Sequence, residues 1–200
     1  MNITGRKIIF ASENAGKVKE VRKIMADIGM EVISLKDAGI NMEVEENGGS
    51  YEENALIKAR AVAAQTGEIV MADDSGLEIE YLDNEPGIYS ARYLGEDTPY
   101  SIKNRIILER MEGANDQERA ARFICAIAAI LPDGRELTVR DWVEGSIDYE
   151  EKGANGFGYD PIFYVTELGK TTAELSEEEK NRISHRGKAL RLIKEELKKV

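Results

Sequence analysis

Short apolar runs alternate with segments of helical period along this chain of 200 residues. Ile8-Ile9-Phe10-Ala11 is apolar at every position, as a buried strand is. Val18, Val21, Met25 and Ile28 then recur at helical spacing, and Gly29 closes the helix. Val32–Leu35 predicts a second strand. The polar loop Ser12-Glu13-Asn14-Ala15-Gly16 therefore follows the carboxyl end of the first strand, where α/β proteins usually bind ligands.

The acidic stretch 41–49 predicts a loop. Ser50 and Glu53 have capping-box spacing and predict a helix from Tyr51 to Thr66, ended by Gly67. Ile69–Ala72 is an apolar strand that runs into Asp73-Asp74-Ser75-Gly76. Leu77, Ile79 and Tyr81 alternate as in a half-buried strand. Pro86-Gly87 marks a turn, and Thr98 and Pro99 open a helix that Gly113 ends. Arg122–Leu131 fits either period, but the turn Pro132-Asp133-Gly134 and the alternating Leu137 and Val139 favour a hairpin. Trp142 reads as packing within a strand. Ile162–Val165 is another strand, and Ser176 and Glu179 start a helix. The C-terminal helix carries Leu190, Ile193 and Leu197 on one face. This order predicts one mixed α/β domain over residues 1–200, with a largely antiparallel middle.

Composition narrows the function. Apolar residues make up 42% of the chain, enough for a core of ordinary size. The net charge of −11 argues against nucleic-acid polymers and anionic membranes as partners. A small anionic substrate would need a local cluster of cations, or a divalent metal held by carboxylates. The single cysteine, Cys125, excludes an intrachain disulfide and suits a reducing compartment. Its apolar neighbours mark it as core. No apolar stretch approaches a membrane span, and the N-terminal run is too short for a signal peptide. The expected location is the cytoplasm.

Four polar clusters carry the candidate chemistry. Ser12–Lys17 is a strand-to-helix loop whose backbone N–H groups and helix dipole favour an anion. Ser12 and Asn14 add side-chain donors, and Lys17 adds charge. The loop lacks the Walker pattern, and alone it also reads as an ordinary turn. In Asp73-Asp74-Ser75-Gly76 two adjacent carboxylates repel each other, which a metal or base role would explain. Strand alternation sends them to opposite sides, so one faces the site. The plain alternative is a turn with an Asx cap. Glu45 and Glu46 are further metal candidates in what is otherwise a solvated loop. Ala154–Pro161 combines glycines for close backbone approach, Phe157 and Tyr159 for stacking, and Asp160 to fix the turn. Lys180–Arg186 sets the only histidine, His185, beside Arg186. Read functionally, the two are donors aimed at a carbonyl oxygen, whereas a surface histidine is the plain alternative.

Taken together these pieces resemble the inosine triphosphate pyrophosphatase family, the non-standard purine nucleoside triphosphate diphosphatases. The matching segments are Ser12–Lys17, Ser50-Tyr51-Glu52-Glu53-Asn54-Ala55, Ala72–Leu77, Pro86–Tyr93, Gly156–Phe163 and Glu179–Arg186. They run from end to end of the chain. Ser12 stands where the family usually has threonine, and the hydroxyl is kept.

The resemblance implies an elongated mixed β-sheet flanked by helices, in two lobes with a central cleft, and a homodimer. It implies Mg²⁺-dependent cleavage of ITP, dITP and XTP between the α- and β-phosphates. Asp74 would hold the metal and orient or deprotonate the attacking water. Glu45 would be the second carboxylate, with Glu46 as its alternative. Ser12, Glu13, Asn14, Ala15, Gly16 and Lys17 would hold the triphosphate, with Lys180 as a second cation and Ser75 positioning phosphate or water. Phe157 would stack on the base, Gly158, Tyr159 and Asp160 would line it, and His185 and Arg186 would read its 6-oxo group. Two other readings stay open: a related diphosphatase for pyrimidine or modified nucleotides, and a sensor that binds nucleotides without turnover.

Overall fold

A computed structural model describes residues 7–200. The elements in chain order are β1 (Lys7–Phe10), α1 (Ala15–Met25), β2 (Glu31–Ser34), α2 (Tyr51–Thr66), β3 (Ile69–Ile79), β4 (Glu85–Pro86), α3 (Tyr100–Arg110), β5 (Ala120–Ile130), β6 (Glu136–Ile147), β7 (Phe163–Val165), β8 (Lys170–Thr171), α4 (Glu177–Ile183) and α5 (His185–Lys198). The strands form one sheet in the order β2-β1-β3-β5-β6-β7-β8, with β4 beside β3. β1 pairs in parallel with β2 and β3, whereas β3–β4, β6–β7 and β7–β8 are antiparallel. The fold is thus mixed α/β, as the element order predicts, with one mixed sheet flanked by helices, as the resemblance implies.

The chain divides into two compact units. The first comprises the chain up to Asp74, Cys125–Asp141 and Arg186–Val200; the second comprises Ser75–Ile124 and Trp142–His185. In the first unit, strand alternation distributes the core to both faces of the sheet. Ile8, Phe10, Ile69, Met71, Cys125 and Ile127 pack with Val18, Val21 and Met25 of α1 and with Leu190, Ile193 and Leu197 of α5. Ile9, Val70, Ala72, Ala128 and Ile130 pack with Ala55, Ala59 and Val62 of α2. Each buried Leu or Ile contributes roughly 1.5–3 kcal/mol. The second unit has its own core, in which Leu77, Ile79, Ile107, Met111, Phe123, Val143, Ile162 and Phe163 meet.

The helix boundaries follow the capping chemistry. Ser50 Oγ accepts from the Glu53 N–H at the start of α2, and Gly67 ends that helix at φ 64°. β5 and β6 are neighbours joined by the turn at 131–135, where the hairpin was predicted. Asp73-Asp74-Ser75-Gly76 does not take the alternative of a turn but runs within β3, because both flanks of the segment are apolar and strand-forming. Trp142 does not pack inside: it is 46% exposed on β6, and its indole N–H donates to Glu144.

Cys125 is fully buried in the first core, and burial pushes its thiol up to about 12. The folded protein is expected to leave a thiol-specific chromogenic disulfide unreacted over minutes at pH 8. One equivalent should react on unfolding in urea. Rapid reaction of the native protein would contradict this burial.

Candidate active site

In the first unit, the loop after β1 is organised by its own side chains. Asn14 caps α1, and its Oδ1 accepts from the Lys17 N–H at 3.1 Å. Ser12 Oγ accepts from the Asn14 N–H at 3.2 Å. Both side chains, expected as donors, thus serve here as acceptors that shape the helix start. Glu13, Asn14 and Ala15 are exposed, while Ser12, Gly16 and Lys17 are half-buried. A cavity of about 1000 Å³ beside this loop is lined by Ser12, Glu13, Lys19, Arg22 and Lys36, but not by Lys17, Asp73 or Asp74.

The adjacent aspartates of β3 have different surroundings, as strand alternation requires. Asp73, 1% exposed, lies among charges. Lys17 Nζ is 3.1 Å from it, and Arg186 Nε donates to it at 3.1 Å. Arg186 Nη1 in turn donates to Glu20 at 2.6 Å. Burial would raise the Asp73 carboxyl, but Lys17 and Arg186 outweigh it and hold the group far below its ordinary value. Asp73, to which the resemblance gives no role, is therefore the anchor of a chain of alternating charges.

Asp74 lies in a different set. It accepts from Asn54 Nδ2 at 3.0 Å, and Lys58 Nζ is 3.9 Å away. Lys58 Nζ also donates to Glu46 at 3.0 Å. Burial, with Glu46 adding to it, pushes the Asp74 carboxyl up to about 6, against the opposing pull of Lys58 and the Asn54 amide. Glu46 is thus the acidic-loop residue brought to Asp74. Glu45, one residue earlier, is exposed. Of the two candidates for the second carboxylate, Glu46 is the one that shares Lys58 with Asp74.

In the second unit, the predicted base-side loop is built around Asp160. Asp160 Oδ2 accepts from the Phe157 N–H at 2.8 Å and from Lys180 Nζ at 2.6 Å, while Oδ1 accepts from Thr172 at 2.9 Å. Gly156, at φ 74°, permits this closure, because a Cβ there would lie 2.1 Å from Asp160 Oδ2. Lys180 Nζ sits 4.6 Å from the centre of the Phe157 ring. Lys180 therefore braces the aromatic loop. Tyr159 and Asp160 are buried and do not form an exposed lining. The Tyr159 hydroxyl donates to the Ser90 carbonyl at 2.8 Å, and its ring meets Tyr100 edge-on. Gly158 and Phe157 are half-buried. His185, 7% exposed, stacks on Phe123 with ring centres 4.8 Å apart. Ser75 is half-buried in β3.

Asn54 and Lys58 contact Asp74, and the sequence reading did not assign them. A signal was present. Asn54 lies in a segment already singled out, and Lys58 follows it by four residues on α2, hence on the same helix face.

The model of the Ham1 family matches residues 8–196. A protein of Exiguobacterium sibiricum named dITP/XTP pyrophosphatase is 47% identical over 187 residues, covering 94% of each chain. One of the same name from Bacillus subtilis is 46% identical, covering 94% of this chain and 95% of its own. The structure of the Staphylococcus aureus Ham1 protein superposes with a TM-score of 0.85 at 41% identity, over 96% of this chain and 98% of that one. A HAM1 protein from Coxiella burnetii gives 0.87 at 40% identity, over 98% and 100%.

Proposed function

The chain belongs to the Ham1 family, and on that premise we propose that it hydrolyses the non-standard purine nucleotides ITP, dITP and XTP to the monophosphate and pyrophosphate. Such a reaction removes deaminated purines from the nucleotide pool. The observation that carries this reading is a pair of carboxylates, buried Asp74 and half-buried Glu46, gathered around one cation, Lys58.

Two carboxylates are the protein share of a typical Mg²⁺ site, with phosphates and waters completing it. The pair already attracts a cationic group, so the donor set fits. Bound there, Mg²⁺ would offset charge on the phosphates. Asp74 orients or deprotonates the attacking water, and a carboxyl pushed up to about 6 is close to the range of a working base. Lys17, held by Asp73, and the Ser12–Gly16 loop take the triphosphate, and Ser75 positions phosphate or water. Phe157 stacks on the base beside Gly158, on a loop braced by Tyr159, Asp160 and Lys180. His185 and Arg186 read the 6-oxo group. We further assign the protein to the cytoplasm as a homodimer; among the described residues no helix is long and apolar enough to cross a membrane.

Pyrophosphate release across purine and pyrimidine triphosphates, with Mg²⁺ and with a chelator, tests the reading. ITP and XTP are expected to exceed ATP in kcat/KM by about 10⁴-fold, the discrimination available to a site whose donors meet a carbonyl. Chelation should abolish turnover. A pyrimidine preference, or binding without pyrophosphate release, would replace this function by a different one.

A further inference from the structure

Asn54 is fully buried on α2, and both ends of its amide are engaged. Nδ2 donates to Asp74 Oδ2 at 3.0 Å, and Oδ1 accepts from the Gly48 N–H at 2.9 Å. The orientation is dictated by its partners: only the nitrogen can donate to a carboxylate, and only the oxygen can accept from a backbone N–H. Asp74 belongs to β3, whereas Gly48 lies two residues after Glu46 in the acidic loop. A single planar group thus ties one carboxylate to the loop that carries the other.

The docking is close. A Cβ at Gly48 would stand 2.8 Å from both Asn54 Oδ1 and Glu53 Cβ. The neighbouring Gly49 N–H donates to Glu53 Oε2 at 2.7 Å, so the loop is fastened to the first turn of α2 at two points. The helix itself does not need the amide. Ser50 caps it, and Ala55, Ala59 and Val62 supply its buried face. A buried amide among those alanines costs stability unless its hydrogen bonds are made.

We propose that Asn54 is a positioning residue: its amide sets the separation of the Glu46 and Asp74 carboxylates, and with it the affinity of the metal site. The inference rests on the metal reading above. Groups that orient ligands without touching the metal typically cost 10–100-fold in affinity or activity when removed.

The test combines Mn²⁺ titration by electron paramagnetic resonance, without nucleotide, with steady-state kinetics on ITP. In Asn54→Ala the Mn²⁺ dissociation constant is expected to rise about 10–100-fold and kcat to fall in the same range. KM for ITP should stay within about threefold, because the phosphate and base contacts remain. Wild-type Mn²⁺ affinity and kcat in a folded Asn54→Ala would overturn the proposal and leave the metal reading standing. Absence of Mn²⁺ binding by the wild type would overturn both. If Asn54→Ala fails to fold, Gly48→Ala decides the matter: it keeps the Asn54 amide but breaks its contact with the loop, because the new Cβ would stand 2.8 Å from Asn54 Oδ1. Weakened Mn²⁺ binding with reduced kcat supports the proposal, and unchanged values overturn it.

Discussion

Asp74→Asn is expected to remove nearly all turnover and, at neutral pH, to make the protein harder to unfold. The amide is a weaker ligand and no base, and losing a positioned base costs about 10²–10⁴-fold in rate. The stability gain has a separate cause. Burial pushes the Asp74 carboxyl from 3.8 up to about 6, so the folded protein resists its ionisation. Stability that Asp74 contributes in its protonated form is fully present below pH 3.8 and is lost as pH rises through about 6. Above pH 6 the wild type carries a buried charge that the amide lacks. The gain should be of order 1–3 kcal/mol, or several degrees in Tm. Urea unfolding of both proteins at pH 4 and pH 7.5 checks the sign. The variant should be more stable at pH 7.5, and the difference should shrink at pH 4. A variant that loses activity and stability together at pH 7.5 would mean that Asp74 holds the fold together instead of the substrate.

Asp73→Asn is expected to do the reverse to stability. This side chain is the shared anion of Lys17 and Arg186, and Arg186 is itself buried beside Glu20. Breaking a buried ion pair by neutralising one partner costs about 3–5 kcal/mol, because the remaining charges stay desolvated. At this chain length that lowers Tm by roughly 6–20 °C. A carboxyl held below its ordinary value contributes stability above that value, lost only as pH falls toward the folded one. The deficit should therefore persist across pH 5–8. Activity on ITP should also fall, since Lys17 loses its anchor. Thermal unfolding of the two single variants side by side is the measurement. Near-wild-type Tm for Asp73→Asn would show that the charge chain contributes little.

Much of this molecule is legible in local chemistry. Ser50, Gly67 and Ser176 mark helix ends because capping is decided within four residues, and each does so in the fold. The apolar runs at Ile8–Phe10 and Ile69–Ala72 are strands buried on both faces, so their pattern is continuous. The Gly156–Asp160 loop closes on itself over a few residues, and its composition announces it.

What sequence determines here is the set of elements, their ends and the segments that carry chemistry, because those follow from periodicity and nearest neighbours. What tertiary structure decides is the partner of each charge. Arg186 meets Asp73 across 113 residues, and Asn54 meets Asp74 across 20. No local rule assigns Asp73 to Lys17 and Arg186 while giving Asp74 to Asn54 and Lys58. Nor does one choose Glu46 over Glu45, or seat Lys180 on Phe157. These choices depend on which side chains share a buried volume of low dielectric, where an unpaired charge is too costly to keep.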